Sequence, residues 1–533
     1  MKQNADKDYF HLLMQKFLVF LQRQSLDLLA IGFFLVLLVA GIVAHRDYGL
    51  HWDSWSQYEV GKLNYEFITG QSSALKEYPY RYYGPAFEVL LYTLTNRMPV
   101  REMFFTQHLI NFFFFFIGLI FFYFLTINIF KDKRLAFIGC LFAALSPRIL
   151  ADSFYNTKDI PFMSAFIIAV YTLIRLIERM KIRELFFHSI ASAVLISIRL
   201  QGIMILPLTI LFLAKGFFMK RTAVHRGQYL CSGLIYLVLA TGLTVLFFPN
   251  LWENPLAELQ FGLSQLSRFP WSGGLVLYRG QMVSASGLPW HYLPVWVVIT
   301  TPLVISILFV IGILWQGFKS IHKPATHLFE EVGFLISLLW LIIPLAMVIF
   351  LNSVLYDGWR HLFFIYPAYI IIALYGLKNL FSIQVNSPGQ KFIQTGILLF
   401  VFLSLLSPLS FIIRNHPFEN VYFNSLAGSN YQIIKQRYEM DYWGLSYYQA
   451  LQHVLMKDDS PLISIKVDNT PGKLNALLLT QDEQNRISFV QEIDEADYFM
   501  TNFRWHPDEY DYLLFYSVDV RGVSINSTYR IKD

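Results

Sequence analysis

Ionisable residues stand directly beside long apolar stretches at separate points of this chain. Asp53 follows the apolar run that ends near residue 45, Lys158 and Asp159 precede another run, and Arg360 and His361 open a third. Charge beside an apolar bundle is costly and is kept for a reason. A carboxylate can take the proton from an incoming hydroxyl, and Arg and Lys stabilise a leaving phosphate. These residue types therefore fit the transfer of a group from a lipid phosphate.

The acids also have structural interpretations. Asp53 could be a solvated loop residue or a helix cap. Asp159 could cap the helix that follows, because Pro161 in "KDIPF" suits a first helical turn, and this role is compatible with chemistry. We interpret Glu59 and Glu88 as structural.

The bases leave similar alternatives open. Lys158 could pair with Asp152 or extend along apolar surface towards the headgroups. Arg199, in the break "RLQG" between two short apolar stretches, could be a buried partner between helices. Arg360 and His361 could be interfacial anchors.

The composition indicates what positions these side chains. The 533 residues are 55% hydrophobic and only 15% charged, with a mean hydropathy of +0.45, whereas soluble proteins have roughly 25% charged residues. The sequence therefore predicts a polytopic α-helical membrane protein. About eleven runs are candidate transmembrane helices, at about residues 24–45, 104–130, 134–150, 161–180, 185–199, 201–218, 228–248, 292–316, 333–352, 361–381 and 392–413.

Basic residues predict the orientation of these spans. Eleven spans place the N-terminus on the same side as "KDKR" (131–134), "RMKIR" (179–183), "KGFFMKRTAVHR" (215–226) and "KSIHK" (319–323). Positive residues favour the cytoplasmic side, so we expect a cytoplasmic N-terminus, in a bacterial inner membrane. The segments expected outside are 46–103, 151–160, 249–291, 352–360 and everything after 413.

The composition changes at about residue 414. Residues 414–533 contain 28 charged residues in 120, against 51 in the preceding 413. Short runs such as "PLISIKV" and "LLFYSVDV" predict strands, and 443–456 predicts a helix. We expect a transmembrane catalytic domain at 1–413 and a small extracytoplasmic α/β domain at 414–533.

Several segments together carry a family resemblance over about residues 25–450. They are "HWDSWSQYEVG", "SPRILADSFYNTKDIPF", "GLPWHYLPVWVVITTPL", "YDGWRHLFFIYPAY", "HPFENVYFNSLAG" and "YEMDYWGLSYYQA". In these motifs the chain resembles the GT-C superfamily of glycosyltransferases, in the branch of protein O-mannosyltransferases and the aminoarabinose lipid A transferase. The last eighty or so residues match only loosely.

The resemblance implies an inverting transfer of a sugar from a polyprenyl-phosphate carrier to a hydroxyl of a protein, lipid or glycan acceptor. Asp53 would be the general base, and Asp159 the acid of the second outer loop. Family members often have two adjacent acids at the first position, whereas this chain has Asp53-Ser54, so the second is missing or replaced by Glu59. The carrier phosphate would be bound by Lys158, Arg199, Arg360 and His361. The resemblance implies no tightly bound metal and no cofactor, and we expect membrane lipid but no nucleic acid as a partner.

Two other functions stay open. A transporter or flippase of a lipid-linked or anionic solute would place ionisable residues near the bilayer midplane and show internal repeats, and the sequence has no evident repeat. The protein could instead be a catalytically inactive relative that acts as a receptor or scaffold, because the second acid of the family is missing. Loss of transfer in an Asp53→Asn variant would favour the enzyme.

Overall fold

The computed structural model describes residues 26–219, 223–267, 271, 274–322, 331–351, 353–382 and 389–532. The helices are α1 (Leu26–Ala44), α2 (Ser54–Ile68), α3 (Ala86–Thr95), α4 (Val100–Phe130), α5 (Lys133–Ala144), α6 (Pro147–Tyr155), α7 (Asp159–Arg179), α8 (Ile182–Ile198), α9 (Ile205–Met219), α10 (Ala223–Phe247), α11 (Pro255–Ser267), α12 (Tyr292–Thr300), α13 (Leu303–His322), α14 (Val332–Phe350), α15 (Tyr366–Phe381), α16 (Gly389–Asn415), α17 (Tyr431–Arg437), α18 (Tyr447–Lys457), α19 (Thr470–Asn475) and α20 (Gln481–Asn485). The strands are β1 (Leu275–Tyr278), β2 (Gln281–Ser284), β3 (Ile463–Val467), β4 (Ile487–Phe489), β5 (Tyr498–Thr501), β6 (Leu513–Val520) and β7 (Val523–Arg530).

The predicted polytopic helical architecture is confirmed, with fewer spans than expected. Within the described residues, nine helices are long and apolar enough to cross a bilayer, or ten if α5 and α6 count as one broken span. These two helices meet at an angle of 68°, where Pro147 starts the second helix. Residues 151–155, predicted as part of an outer loop, therefore belong to a helix.

Two predicted spans differ from the helices of the structure, and each difference has a physical reason. α8, predicted as the span 185–199, has 17 residues, which at about 1.5 Å per residue is shorter than a hydrocarbon core of about 30 Å. The predicted span 292–316 is two helices, α12 and α13. The break falls at Thr301-Pro302, where proline has no amide hydrogen to continue a helix.

The helix α7 shows which charged residues lie at each end of the bundle. α7 has 21 residues, from Asp159 to Arg179, so its ends lie about 30 Å apart. Lys131, at the end of α4, contacts Glu178 at 3.3 Å. The basic segment 131–134 therefore lies at the opposite end of the bundle from Asp159. We call the end that contains Asp159 the site end.

The helices α13 and α15 approach each other closely at two glycines. A Cβ atom added at Gly376 would lie 2.1 Å from the carbonyl oxygen of Leu308, and one added at Gly312 would lie 2.2 Å from that of Ile372. The two backbones therefore touch without intervening side chains, as small residues permit in membrane bundles.

We expect Gly376→Ala to lower the stability of the purified protein. The added methyl group cannot be accommodated unless α13 and α15 move apart, which costs about 1–3 kcal/mol. The change would appear as a lower thermal unfolding midpoint in detergent. Gly396→Ala on α16 is the matched control, because its new Cβ meets nothing within 4 Å. An equal midpoint for the two variants would show that the backbone contact does not limit stability.

The C-terminal part forms a five-stranded mixed sheet in the order β4-β3-β5-β7-β6. β3 is parallel to β4 and β5, and β7 is antiparallel to β5 and β6. The predicted strands in "PLISIKV" and "LLFYSVDV" correspond to β3 and β6, and the predicted helix 443–456 corresponds to α18. Tyr422 and Trp443 are buried in the same core as the membrane helices. A division of the chain at residue 414 stays a prediction.

Candidate active site

Asp53 is positioned by the first turn of α2. Its carbonyl oxygen accepts a hydrogen bond from the amide of Gln57 at 2.8 Å, so the backbone starts the helix. The Asp53 carboxylate makes no capping hydrogen bond. The side chain points instead towards Arg360, which supports a role other than that of a helix cap.

Arg360 is the centre of the cluster and is only 2% exposed. Its guanidinium nitrogens lie 3.4 Å from Asp53 Oδ2, 3.3 Å from Asp159 Oδ2 and 3.1 Å from Asp357 Oδ2. The cation also lies 4.5 Å from the ring centre of Trp443. One buried guanidinium thus joins three carboxylates from distant parts of the chain.

Both carboxylate oxygens of Asp159 have partners. Its Oδ1 is paired with Arg199 and its Oδ2 accepts a hydrogen bond from the side-chain amide of Asn156 at 3.0 Å. The amide of Asp159 in turn donates to Asn156 Oδ1 at 2.9 Å, which fixes the start of α7. Its two oxygens thus accept contacts from Arg199, Arg360 and Asn156, so Asp159 neutralises and orients the two arginines.

Lys158 has a different environment. Its ammonium group lies 3.7 Å from the ring centre of Tyr83, and none of the carboxylates in the described ranges is within ion-pair distance of it. The anticipated pair with Asp152 does not form, because that carboxylate is bonded to Tyr155, Asn156 and Trp443. Burial and the neighbouring Arg199 lower the pKa of Lys158 to about 8.

A cavity of about 310 Å³ opens beside this cluster. Lys158, Arg199 and His361 line it near the site end, and Pro344, Met347 and Leu351 of the α14 region are among its apolar walls. The His361 Nδ1 is buried and has no hydrogen-bond partner in the described part of the chain. A cavity with a basic end and apolar walls suits an amphipathic anion.

The electrostatic surroundings of Asp53 keep its carboxylate ionised. Burial raises its pKa, but Arg360, Lys158 and His51 lower it by more, so the net pKa lies below its ordinary value. Burial lowers the pKa of His51 to about 4. His51 is therefore neutral near pH 7. Its Nδ1 accepts from the amide of Asp53 at 3.1 Å, and its Nε2 donates to the carbonyl of Tyr155 at 2.9 Å.

The structure brings most of the predicted site residues together. Asp53, Asp159, Arg199 and Arg360 are linked by direct ion pairs, while Lys158 and His361 line the adjoining cavity.

Glu59 is not part of this cluster. It lies on α2, and no ion pair joins it to any described residue, so the cluster contains no second acid next to Asp53 from this position.

Two contributors to the cluster are not among the predicted site residues. Asp357 bridges Arg360 and Arg504, and Arg504 comes from the C-terminal sheet region. The signal for Asp357 was the pair Asp357-Gly358, which forms a turn with φ of +58° and +68°. Arg504 had no usable signal, because it lies in the segment where the family resemblance is loose.

Part of this chain is similar to a known protein family. Residues 102–247 match the family model of dolichyl-phosphate-mannose-protein mannosyltransferases. Among solved structures, ArnT from Cupriavidus metallidurans bound to undecaprenyl phosphate is 12% identical, with a TM-score of 0.47 and coverage of 95% of this chain and 98% of that chain. ArnT from the same organism in the apo state is 13% identical, with a TM-score of 0.48 and coverage of 94% and 98%.

No match was found among curated proteins. The matched segment 102–247 contains Lys158, Asp159 and Arg199, three of the six predicted site residues. Over this segment the chain is similar to the dolichyl-phosphate-mannose-protein mannosyltransferase family, which confirms the predicted resemblance for this part of the chain.

Proposed function

We propose that the protein transfers a sugar from a polyprenyl-phosphate donor to a hydroxyl acceptor at the extracytoplasmic face of the membrane. One observation carries the proposal. The Asp53 carboxylate contacts Arg360, and Arg360 shares Asp159 with Arg199, which lines the basic end of a cavity with apolar walls. The acceptor is a hydroxyl of a protein, lipid or glycan, and no metal or cofactor takes part in the proposed step.

The donor phosphate occupies the basic end of the cavity. Lys158 and Arg199 face that space, and the polyprenyl chain extends along the apolar residues of the α14 region. Arg199 is already paired with Asp159, whereas Lys158 has no carboxylate partner among the described residues. Lys158 therefore carries the uncompensated charge that binds the phosphate directly, and Arg199 adds to the positive potential.

The proposed step is a single displacement. The acceptor oxygen attacks the anomeric carbon from the face opposite the phosphate, and the bond between that carbon and the phosphate oxygen breaks. The phosphate leaves with the electron pair, while Asp53 takes the proton of the hydroxyl. Attack from the opposite face inverts the anomeric configuration. A positioned base contributes roughly 10²–10⁴-fold to the rate.

The transporter alternative has less support from the geometry. Asp53, Asp159 and Arg360 gather at one end of the bundle, at the start of helices. A carrier that moves a solute across the bilayer places such residues near the midplane.

We expect the affinity for undecaprenyl phosphate to fall as the pH rises through about 8. The ammonium of Lys158 binds the anion, and its pKa is lowered to about 8, so the cation is lost above that pH. Since the second pKa of a phosphate monoester is about 6, the ligand keeps its charge above about pH 7. Titration of the purified protein with undecaprenyl phosphate at several pH values measures this effect.

Two variants of Lys158 sharpen the test. Lys158→Gln should lower the affinity by about 10–150-fold near pH 7, because a charge-assisted hydrogen bond contributes about 1.5–3 kcal/mol and each 1.4 kcal/mol is about tenfold. Lys158→Arg should retain affinity and lose the dependence on pH, because guanidinium stays protonated. An unchanged affinity in the Gln variant would place the phosphate elsewhere.

A further inference from the structure

Arg504 is a buried cation that the C-terminal sheet region contributes to the site end of the bundle. It follows β5 and is only 6% exposed. Its Nη2 lies 2.6 Å from Asp357 Oδ1, and its Nη1 donates to the carbonyl oxygen of Tyr442. The guanidinium also lies among the rings of Trp52, Trp271 and Trp505, at 5.1, 5.7 and 4.9 Å from their centres.

Asp357 shares its two oxygens between two guanidiniums. Oδ1 faces Arg504 at 2.6 Å, and Oδ2 faces Arg360 at 3.1 Å. The residue itself is held in a left-handed turn with φ of +58°, so the surrounding contacts have to fix its position. A continuous series of contacts thus runs from the C-terminal sheet region through Asp357 and Arg360 to Asp53.

The distances indicate which carboxylates compete for Arg360. Its contact with Asp357 measures 3.1 Å, its contact with Asp159 3.3 Å and its contact with Asp53 3.4 Å. Asp159 is neutralised by Arg199 and Asp357 by Arg504. If Arg504 were absent, Asp357 would depend on Arg360 alone and would draw the guanidinium away from Asp53.

We propose that Arg504 is a positioning residue for the proposed base. By neutralising Asp357, it leaves Arg360 available to Asp53, so that the C-terminal region has to be docked for the carboxylate to be ready to accept a proton. This inference rests on the proposed function only in treating Asp53 as the base. The electrostatic link itself stands on the contacts between the charged groups.

Other charged groups also act on these carboxylates. Asp53 is faced by Arg360, Lys158, His51 and Asp159. The first two favour its ionised form, His51 is neutral near pH 7, and Asp159 disfavours ionisation.

Asp357 also acts on groups beyond the two arginines. It raises the pKa of Glu439, a carboxyl that lies close to Arg504 as well. Arg504 and Arg360 are the cations within ion-pair distance of Asp357 among the described residues, so removal of Arg504 leaves this carboxylate with one.

The direct test is the protonation midpoint of Asp53 in the purified full-length chain. pH-difference infrared spectroscopy, with the Asp53→Asn spectrum subtracted, isolates this carboxyl group. We expect Arg504→Gln to raise the midpoint by about one pH unit, since an opposite charge within 4–6 Å lowers a carboxyl pKa by about 1–3 units. Lys435→Gln is the matched control: it removes another buried cation of the C-terminal region, which is paired with Glu509 at 2.7 Å, and should leave the midpoint unchanged.

Two further variants separate positioning from charge and protect the test against misfolding. Arg504→Lys keeps the charge but replaces the two nitrogens that bond Tyr442 and Asp357 by a single one, so positioning predicts a smaller shift in the same direction. The double variant Arg504→Gln/Asp357→Asn removes the competing carboxylate. We expect it to fold and to return the midpoint to that of the unsubstituted protein.

The outcomes are separable. An unchanged midpoint in Arg504→Gln, or in Arg504→Lys if the Gln variant does not fold, would overturn the role of Arg504 even if Asp53→Asn abolishes sugar transfer. A double variant that keeps the raised midpoint would overturn it as well. Conversely, a raised midpoint in Arg504→Gln combined with full transfer activity in Asp53→Asn would retain the electrostatic link and remove Asp53 as the base. A raised midpoint combined with no sugar transfer by the unsubstituted protein would retain the link and remove the proposed function.

Discussion

We expect Asp53→Asn to abolish most sugar transfer while leaving the fold and lipid binding in place. The amide cannot accept the proton of the hydroxyl, so the loss should be about 10²–10⁴-fold in the rate of transfer. The side chain is half-buried and caps no helix, so the substitution removes little structure. The measurement is the release of polyprenyl phosphate from a panel of synthetic polyprenyl-phosphate sugars, with membranes from cells lacking the gene as the source of acceptor.

Glu59→Gln is the matched control. Glu59 lies on the same helix and is a candidate for the missing second acid, but it stands outside the ion pairs of the described residues. We expect near-normal transfer from this variant. Normal transfer by Asp53→Asn together with a loss in Glu59→Gln would show that Glu59, and not Asp53, is the base. The acceptor would then have to bind in a different arrangement.

Arg360→Met should be the most destabilising single substitution in the site. It removes the cation that contacts Asp53, Asp159 and Asp357. Asp53 then has no ion-pair partner among the described residues, and the buried Asp159 and Asp357 keep one arginine each. Breaking a buried ion pair from one side costs about 3–5 kcal/mol. The expected result is a large fall in the thermal unfolding midpoint of the detergent-solubilised protein.

Arg46→Met provides the comparison. Arg46 pairs with Glu102 at 2.5 Å, but its side chain is 51% exposed, and exposed pairs contribute about 0–1 kcal/mol. The thermal unfolding midpoint of Arg46→Met should stay close to that of the unsubstituted protein. If Arg360→Met unfolds at the same temperature as Arg46→Met, the buried carboxylates are not held ionised by Arg360 and the electrostatic account of Asp53 fails.

The membrane architecture could be predicted because apolar runs and the positions of basic residues are local signals. They do not show where a run bends. α5 and α6 form one apolar stretch with a 68° break, and the break between α12 and α13 depends on a single proline. The predicted count of eleven spans exceeds the nine or ten of the described residues because α8 is too short to cross a bilayer and α5 and α6 are bent.

The candidate site could be predicted in part for a similar reason. Asp53, Asp159 and Arg360 are charges at the ends of apolar runs, and a bundle necessarily brings such ends to a shared face. Asp357 and Arg504 could not be assigned this way. Their pairing depends on how the C-terminal sheet packs against the turn before α15, a contact between residues 147 positions apart that hydropathy and spacing do not encode.

The most direct measurement follows both the sugar and the lipid in one reaction. Purified protein is reconstituted in vesicles with a polyprenyl-phosphate sugar labelled in the sugar, acceptor-containing membranes are added, and the products are separated and analysed by NMR. The account predicts label on the acceptor in the inverted anomeric configuration, with one free polyprenyl phosphate per sugar transferred and neither product from the Asp53→Asn variant. Movement of the intact labelled lipid between leaflets, with its sugar–phosphate bond unbroken, would contradict it.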